Sequence, residues 1–145
     1  MKVQYNPREQ DHKVVIRGNY HGDKCLASLN DYISELGKNP KAGNRMKQNS
    51  MTVCMDAIRA YLKRWKPSNP VILHYHYYEP LKGQKRDLMN VHAYADKCFE
   101  DALQKCKVIV NDSPEYVVNT THDFFYTKST VGIIVYIEEV SNSES

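Results

Sequence analysis

The sequence contains no apolar run near the ~20 residues that a membrane-spanning helix needs. Its opening residues, Met1-Lys2-Val3, do not begin a secretory signal. We therefore expect a soluble, cytoplasmic protein with no membrane partner. Cysteine is also scarce: four residues, with no C-x-x-C pair and no spacing typical of zinc sites. We expect free thiols, three of them on the apolar sides of helices, in a reducing compartment.

Aromatic residues other than tyrosine are few, since one Trp and three Phe stand beside eleven Tyr. A tyrosine buries its ring while its hydroxyl stays wet, which suits half-buried strands and interfaces. The formal net charge is only +3, too small to imply a polyanionic partner by itself. Cations nevertheless cluster within residues 38–47, 63–66 and 82–86. Such clusters are typical of solvated surfaces and of DNA contacts, and both interpretations stay open.

The length of 145 residues suits a single domain over 1–145, with loose polar tails at 1–12 and 141–145. Residue patterns predict strands over 13–18, 71–79, 116–127 and 130–140, and helices over 28–36, 51–62 and 90–105. The order β-α-α-β-α-β-β predicts an α+β fold with one mixed sheet of about four strands and helices packed mainly on one face.

Three local features refine this prediction. Residues 38–47 combine four cations with a Pro and a Gly, so we expect a basic loop, followed by a helix capped at Asn49 or Ser50. Lys128-Ser129 suits a tight antiparallel connection between the last two strands. His74 and His76 share one face of their strand. Two histidines alone are too few ligands to predict a metal site.

Polar side chains bracket the helix between residues 85 and 112. Asp87 precedes the helix, and Asp112 lies in a turn after it; such carboxylates are the hard oxygen ligands that Mg²⁺ takes. Asn90 and Lys97 are seven residues apart and so lie within about 20° of one helix face. Lys97 would then project towards the Asp87 loop and could neutralise charge on a phosphate.

The same residues have a purely structural interpretation. Asp87 and Asn90 could cap the helix, Lys97 and Asp101 could form an i, i+4 surface pair, and Asn111-Asp112 could be ordinary turn chemistry. The residue types alone do not separate the two interpretations.

Residues 86–112 resemble the RusA family of Holliday junction resolvases. The family pattern is a basic residue, D-x-D-N, a helix carrying a lysine, D-A-L and an acidic turn. The matching residues here are Arg86, Asp87-Leu88-Met89-Asn90, Lys97, Asp101-Ala102-Leu103 and Asn111-Asp112. The resemblance extends to residues 29–32, to Lys47 and to the strands, and covers most of the chain.

The resemblance implies a RusA-like homodimer that binds four-way DNA junctions and cuts two strands with Mg²⁺. It implies that Asp87 and Asp112 hold the metal and that Lys97 assists at the phosphate. DNA contacts are expected from Lys41, Arg45, Lys47, Lys85, Arg86 and Asn90, because phosphates are bound chiefly by cations and amides.

The sequence departs from the family at Met89, where the pattern has a second metal-binding Asp. A thioether is a poor ligand for Mg²⁺. Either cleavage persists with two carboxylates, or the chain binds junctions without cutting them. Glu100 and Asp101 are the acids that could compensate, although both lie more than two helical turns further along. A small interaction protein that uses its Tyr-rich strands is a third interpretation.

Overall fold

The computed structural model describes residues 3–17, 29–82, 87–129 and 131–141, with the side chains of 29–32 left aside. The chain forms β1 (His12–Arg17), α1 (Leu29–Lys38), α2 (Pro40–Leu62), β2 (Val71–Pro80), α3 (Leu88–Lys105), β3 (Val117–Thr127) and β4 (Gly132–Glu139). This α+β order is the predicted one. No helix in the described ranges is long and apolar enough to cross a membrane.

The four strands form one mixed sheet in the order β1-β4-β2-β3. Strand β4 runs antiparallel to both β1 and β2, whereas β2 and β3 are parallel. The prediction of a tight antiparallel pair joined at Lys128-Ser129 is therefore wrong, because β2 lies between β3 and β4. Parallel neighbours need a long crossover, and α3 supplies it between β2 and β3.

The two faces of β2 differ as its alternation predicts. Tyr75 and Tyr77 point towards the helices and contact α3, with the Tyr75 ring 6.0 Å from that of Phe99. His74 and His76 point to the opposite face, which we call the outer face. The core lies between the sheet and the helices. Its strand residues are Val14, Ile16, Val71, Leu73, Tyr75, Tyr77, Val117, Ile133, Val135 and Ile137.

Helix α2 begins ten residues earlier than a cap at Asn49 would allow. Asn39 is the N-cap, with its Oδ1 accepting from the Ala42 N–H at 2.8 Å, and Pro40 is the first helical residue. The predicted basic loop over 38–47 is therefore wrong, and Lys41, Arg45 and Lys47 lie on the first turns of α2. Asn-Pro ends α1 and starts α2 at once, a double role that the sequence analysis missed.

The predicted cap at Ser50 is wrong as well. Ser50 is buried within α2, where its Oγ accepts a hydrogen bond from the Tyr94 hydroxyl at 3.1 Å. The hydroxyl thus joins α2 to α3 rather than ending a helix. Close packing also marks the α1–α2 junction, since a Cβ at Gly43 would lie 2.2 Å from Leu36 Cδ2.

The N-terminal segment is bound to the outer face, so the prediction of a loose tail over 1–12 is wrong for its described part. The backbone N–H groups of Gln4 and Tyr5 donate to the two carboxylate oxygens of Asp123, at 2.6 and 3.1 Å. The Tyr5 ring stacks on His74 with centroids 3.4 Å apart. The polar composition of this segment did not predict these contacts, because backbone N–H groups make most of them.

The described cysteines are free thiols, as expected. Cys54 and Cys98 are buried and Cys106 is half-buried, while Cys25 lies outside the described residues. Burial raises the pKa of the Cys98 thiol to about 11. The Cys98 thiol therefore stays protonated near neutral pH and acts as a small apolar group.

Candidate functional site along helix α3

The N-terminus of α3 is capped by Asp87. Its carboxylate accepts hydrogen bonds from the Met89 N–H at 3.1 Å and from Asn90 Nδ2 at 3.3 Å. Both predicted site residues therefore make the local contacts of the structural interpretation. The predicted DNA-binding residues Lys85 and Arg86 lie outside the described residues.

The C-terminus of α3 turns the chain back towards the helix. Lys107 adopts a left-handed φ of 61°, and its N–H donates to the Gln104 carbonyl at 3.0 Å. The Val108 N–H donates to the Leu103 carbonyl at 2.9 Å, which completes a Schellman motif. Asn111 then stabilises the next turn by accepting from the Ser113 N–H at 2.8 Å, so the neighbouring carboxylate is left to face α3.

This return brings Asp112 to Lys97. Lys97 Nζ lies 3.2 Å from Asp101 Oδ1 and 3.7 Å from Asp112 Oδ2, and Lys47 Nζ lies 3.8 Å from Asp101 Oδ2. We call these four residues the Lys97 cluster. Its ion pairs are open to water, with the side chains of Lys97 and Asp112 60% and 42% exposed. The hydrogen bond to Asp101 raises the pKa of Lys97, which therefore stays a cation at neutral pH.

Asp87 is at the other end of the helix from this cluster. Ten residues separate it from Lys97, which corresponds to about 15 Å along the helix axis. The structure therefore brings Lys97 and Asp112 together but gives Asp87 contacts within its own helical turn. This separation does not support a metal ion shared by Asp87 and Asp112 within one chain.

The two acids that could compensate for Met89 have different surroundings. Glu100 is half-buried and accepts a hydrogen bond from the Tyr75 hydroxyl at 2.9 Å, and burial raises its pKa. Asp101 lies in the Lys97 cluster. Met89 itself is 66% exposed on the first turn of α3.

Of the predicted DNA-binding residues on α2, Lys47 contacts the Lys97 cluster through Asp101. Lys41 and Arg45 are exposed on the same helix. Their contact with DNA stays a prediction.

A group that the sequence analysis missed lies on the sheet side of α3. Among the described residues, His92, Asp96 and His122 are the three side chains whose possible metal-ligand atoms all lie within 4.8 Å of one another. We call them the histidine cluster. The i, i+4 spacing of His92 and Asp96 is visible in the sequence, but His122 arrives from β3 through the crossover.

His74 and His76 on the outer face are engaged with other partners. The two ring nitrogens of His74 lie 2.7 Å from Thr121 Oγ1 and 2.8 Å from Glu138 Oε1. His76 Nε2 lies 3.1 Å from the Tyr5 carbonyl oxygen and 3.3 Å from Asp123. Both histidines are therefore hydrogen-bonded within the outer face.

No protein-family model matches the chain, and no curated protein matches it. The candidate functions therefore rest on the geometry along α3 and on the resemblance of residues 86–112 to the RusA pattern. The two groups on α3, the Lys97 cluster and the histidine cluster, are distinct in their chemistry: one pairs amines with carboxylates, and the other pairs imidazoles with a carboxylate.

Proposed function

We propose that this chain is a RusA-like, Mg²⁺-dependent endodeoxyribonuclease that resolves four-way DNA junctions as a homodimer. The observation that supports it best is the approach of Lys97 Nζ to Asp112 Oδ2 at 3.7 Å. The RusA resemblance assigns this lysine to the scissile phosphate and this acid to the metal ion. Their proximity depends on the turn after α3, because fourteen residues of helix and loop separate Lys97 from Asp112 along the chain.

The donor atoms suit Mg²⁺ in part. The resemblance assigns the ion to Asp87 and Asp112, but about 15 Å of helix rise separates Asp87 from Lys97, which is too far for one ion to bridge both carboxylates within a chain. Asp112 would therefore hold the ion, with water and phosphate oxygens completing its coordination. When bound, the ion would neutralise charge on the phosphodiester. Lys97 is an exposed cation, so it can bind a phosphate oxygen and stabilise developing charge there. The Met89 thioether does not fit this set.

The DNA would approach along α2 and α3. Lys47 belongs to the Lys97 cluster, and Lys41 and Arg45 are exposed on the same helix. Cations on this surface would bind phosphates without reading sequence, so the affinity for junctions should fall steeply with salt.

A second candidate is a protein that binds junctions without cutting them. Met89 favours it, because this exposed side chain stands beside the Asp87 cap where the family pattern has a carboxylate. The fold and the cationic surface would serve binding equally well without that ligand.

A cleavage assay separates the candidates. A synthetic four-way junction is incubated with the wild type, Asp112→Asn and Met89→Asp over a range of Mg²⁺ and Mn²⁺. Asp56→Asn is the matched control, since Asp56 is exposed on α2 away from the proposed site residues. The proposal predicts nicking by the wild type and the control and none by Asp112→Asn.

Other outcomes are equally informative. Salt-sensitive binding of junction over linear duplex, with cleavage gained only in Met89→Asp, would support the second candidate. A wild type that neither nicks nor binds junctions at low salt would refute both and leave the interaction protein.

A further inference from the structure

The histidine cluster is built by two elements that the crossover brings together. His92 and Asp96 are one turn apart on α3, so their side chains lie on the same helix face. His122 projects from β3, where it pairs in register with Tyr75 of β2. The three side chains are between 15% and 22% exposed, so the group is sheltered but reachable from solvent.

The donor atoms converge on one carboxylate oxygen. His92 Nδ1 lies 3.1 Å and His122 Nε2 lies 2.5 Å from Asp96 Oδ2. The two imidazole rings are 4.3 Å apart. Two ring nitrogens thus face one carboxylate oxygen, and the possible ligand atoms of the three residues lie within 4.8 Å of one another.

The aromatic surroundings hold these ligands in place. The Tyr77 hydroxyl donates to the other oxygen of Asp96, which orients the carboxylate towards the two rings. Tyr75 stacks on the His122 ring with centroids 5.1 Å apart and an interplanar angle of 3°. Supporting contacts of this kind fix ligand orientation in metal sites.

We propose that His92, Asp96 and His122 bind a divalent transition-metal ion of the Zn²⁺ class. Imidazole nitrogen suits Zn²⁺ and its neighbours, whereas Mg²⁺ prefers oxygen ligands alone. Two His and one carboxylate, with the fourth position open to water, form a recognised set for Zn²⁺. This site differs in residues and in ligand chemistry from the proposed Mg²⁺ site, and it does not depend on the nuclease proposal.

Metal binding requires a small rearrangement of the cluster. Zn²⁺ bonds of about 2.0–2.1 Å in a tetrahedron keep ligand atoms about 3.3 Å apart. The His122–Asp96 contact at 2.5 Å must therefore open by somewhat less than 1 Å, while the His92–Asp96 contact at 3.1 Å nearly fits. Without metal, an imidazole N–H of each ring donates to Asp96. With metal, each neutral ring would carry its proton on the other nitrogen, which frees the nitrogen that faces Asp96 to act as a ligand.

Calorimetry on the full chain tests the proposal. The protein is stripped with a chelator, exchanged into chelator-free buffer and titrated with ZnCl₂, and in parallel with CoCl₂ under visible spectroscopy. We expect one ion per chain and a Co²⁺ spectrum without a thiolate charge-transfer band. His92→Gln, Asp96→Asn and His122→Ala should each weaken Zn²⁺ binding more than about 100-fold, since each removes a ligand.

Two controls make the result specific. His12→Gln removes an imidazole that stacks on Trp65 away from the cluster, and it should bind Zn²⁺ like the wild type. Tyr77→Phe keeps every ligand but loses the hydroxyl that orients Asp96, and it should weaken binding by about 10-fold. A large excess of Mg²⁺ should not displace the ion.

The proposal is overturned if the wild type binds no Zn²⁺, or if binding persists at full strength in the three ligand variants. Circular dichroism shows whether each variant is folded. If His122→Ala does not fold, His92→Gln and Asp96→Asn decide, because both are close in size to the native residue and partly exposed.

Discussion

The outer face of the sheet and the sheet side of α3 both set imidazoles against carboxylates, yet the two arrangements differ. On the outer face each histidine has its own acid: His74 lies beside Glu138 and His76 beside Asp123. On the α3 side, His92 and His122 share one oxygen of Asp96. Asp123 also accepts hydrogen bonds from two backbone N–H groups, and its side chain is only 7% exposed. No acidic residue of α3 combines these two features.

This difference distinguishes carboxylates that stabilise the fold from carboxylates that can bind a ligand. A buried carboxylate that fills its lone pairs with backbone donors contributes to folding and is closed to ligands. A partly exposed carboxylate that accepts N–H groups from two imidazoles can bind a metal ion together with those rings in place of the hydrogen bonds. We therefore expect outer-face substitutions to lower stability and α3 substitutions to change binding.

The largest effect is expected at Asp123. Asp123→Ala leaves the Gln4 and Tyr5 N–H groups without their acceptor and removes the carboxylate beside His76, and it should lower the free energy of unfolding by about 3 kcal/mol. Urea unfolding measures the change. Asp123→Asn keeps one carbonyl acceptor and should lose less. A loss below about 1 kcal/mol for Asp123→Ala would contradict the stabilising role of this acid.

The Tyr5 stack is expected to contribute a smaller amount. Tyr5→Ala removes the ring from His74 and should cost about 1.5 kcal/mol, with earlier proteolysis of the N-terminal segment. Tyr5→Phe keeps the stack and loses only the hydroxyl contact with Asp11, so it isolates the ring. Equal losses in both variants would show that the hydroxyl, not the stack, holds the segment.

Sequence patterns predicted which residues form strands and which face of the sheet their side chains occupy, but not which strands lie next to each other. The alternation over 71–79 placed Tyr75 and His76 on opposite faces, because strand geometry is local. Strand order depends on which segments meet in space, so the β3–β4 hairpin was predicted where β2 intervenes. For the same reason His122 was not recognised as a neighbour of His92.

The candidate site shows the same division. Lys97 and Asp101 pair through helical spacing, which a sequence reveals. The approach of Asp112 depends on the left-handed Lys107, and a lysine gives no hint of a Schellman turn that glycine would normally mark. The Asp87 cap was foreseen as the structural alternative, and its hydrogen bonds are those of a cap.

Asp96 offers the sharpest contrast with Asp123. Asp96→Asn should lower the free energy of unfolding by less than about 1 kcal/mol, because the group is partly exposed and the amide retains an acceptor oxygen. The variant should lose Zn²⁺ binding all the same. Thermal unfolding with and without ZnCl₂ checks both, since a ligand that binds only the folded state raises Tm.

The control for that experiment is Asp123→Asn, which should keep the Zn²⁺-induced rise in Tm while starting from a lower value. If Asp96→Asn costs as much stability as Asp123→Asn, the two acids have the same structural role and the contrast between the faces fails.

The smallest change in stability is expected at Met89, where a carboxylate is added to α3 instead of removed. Met89→Asp should raise the free energy of unfolding by about 0.5 kcal/mol. The first turn of α3 has no acidic residue, and a negative charge there interacts favourably with the positive end of the helix dipole. Little apolar contact is lost, since Met89 is exposed. Urea unfolding at low and high salt measures the gain, which should shrink with salt.

Met89→Asn is the matched control for size without charge and should show no salt-dependent gain. A destabilisation beyond about 1 kcal/mol in Met89→Asp would show that the thioether packs against something outside the chain, such as a second subunit. With folding preserved, any junction cleavage that Met89→Asp gains over Met89→Asn reports the added metal ligand.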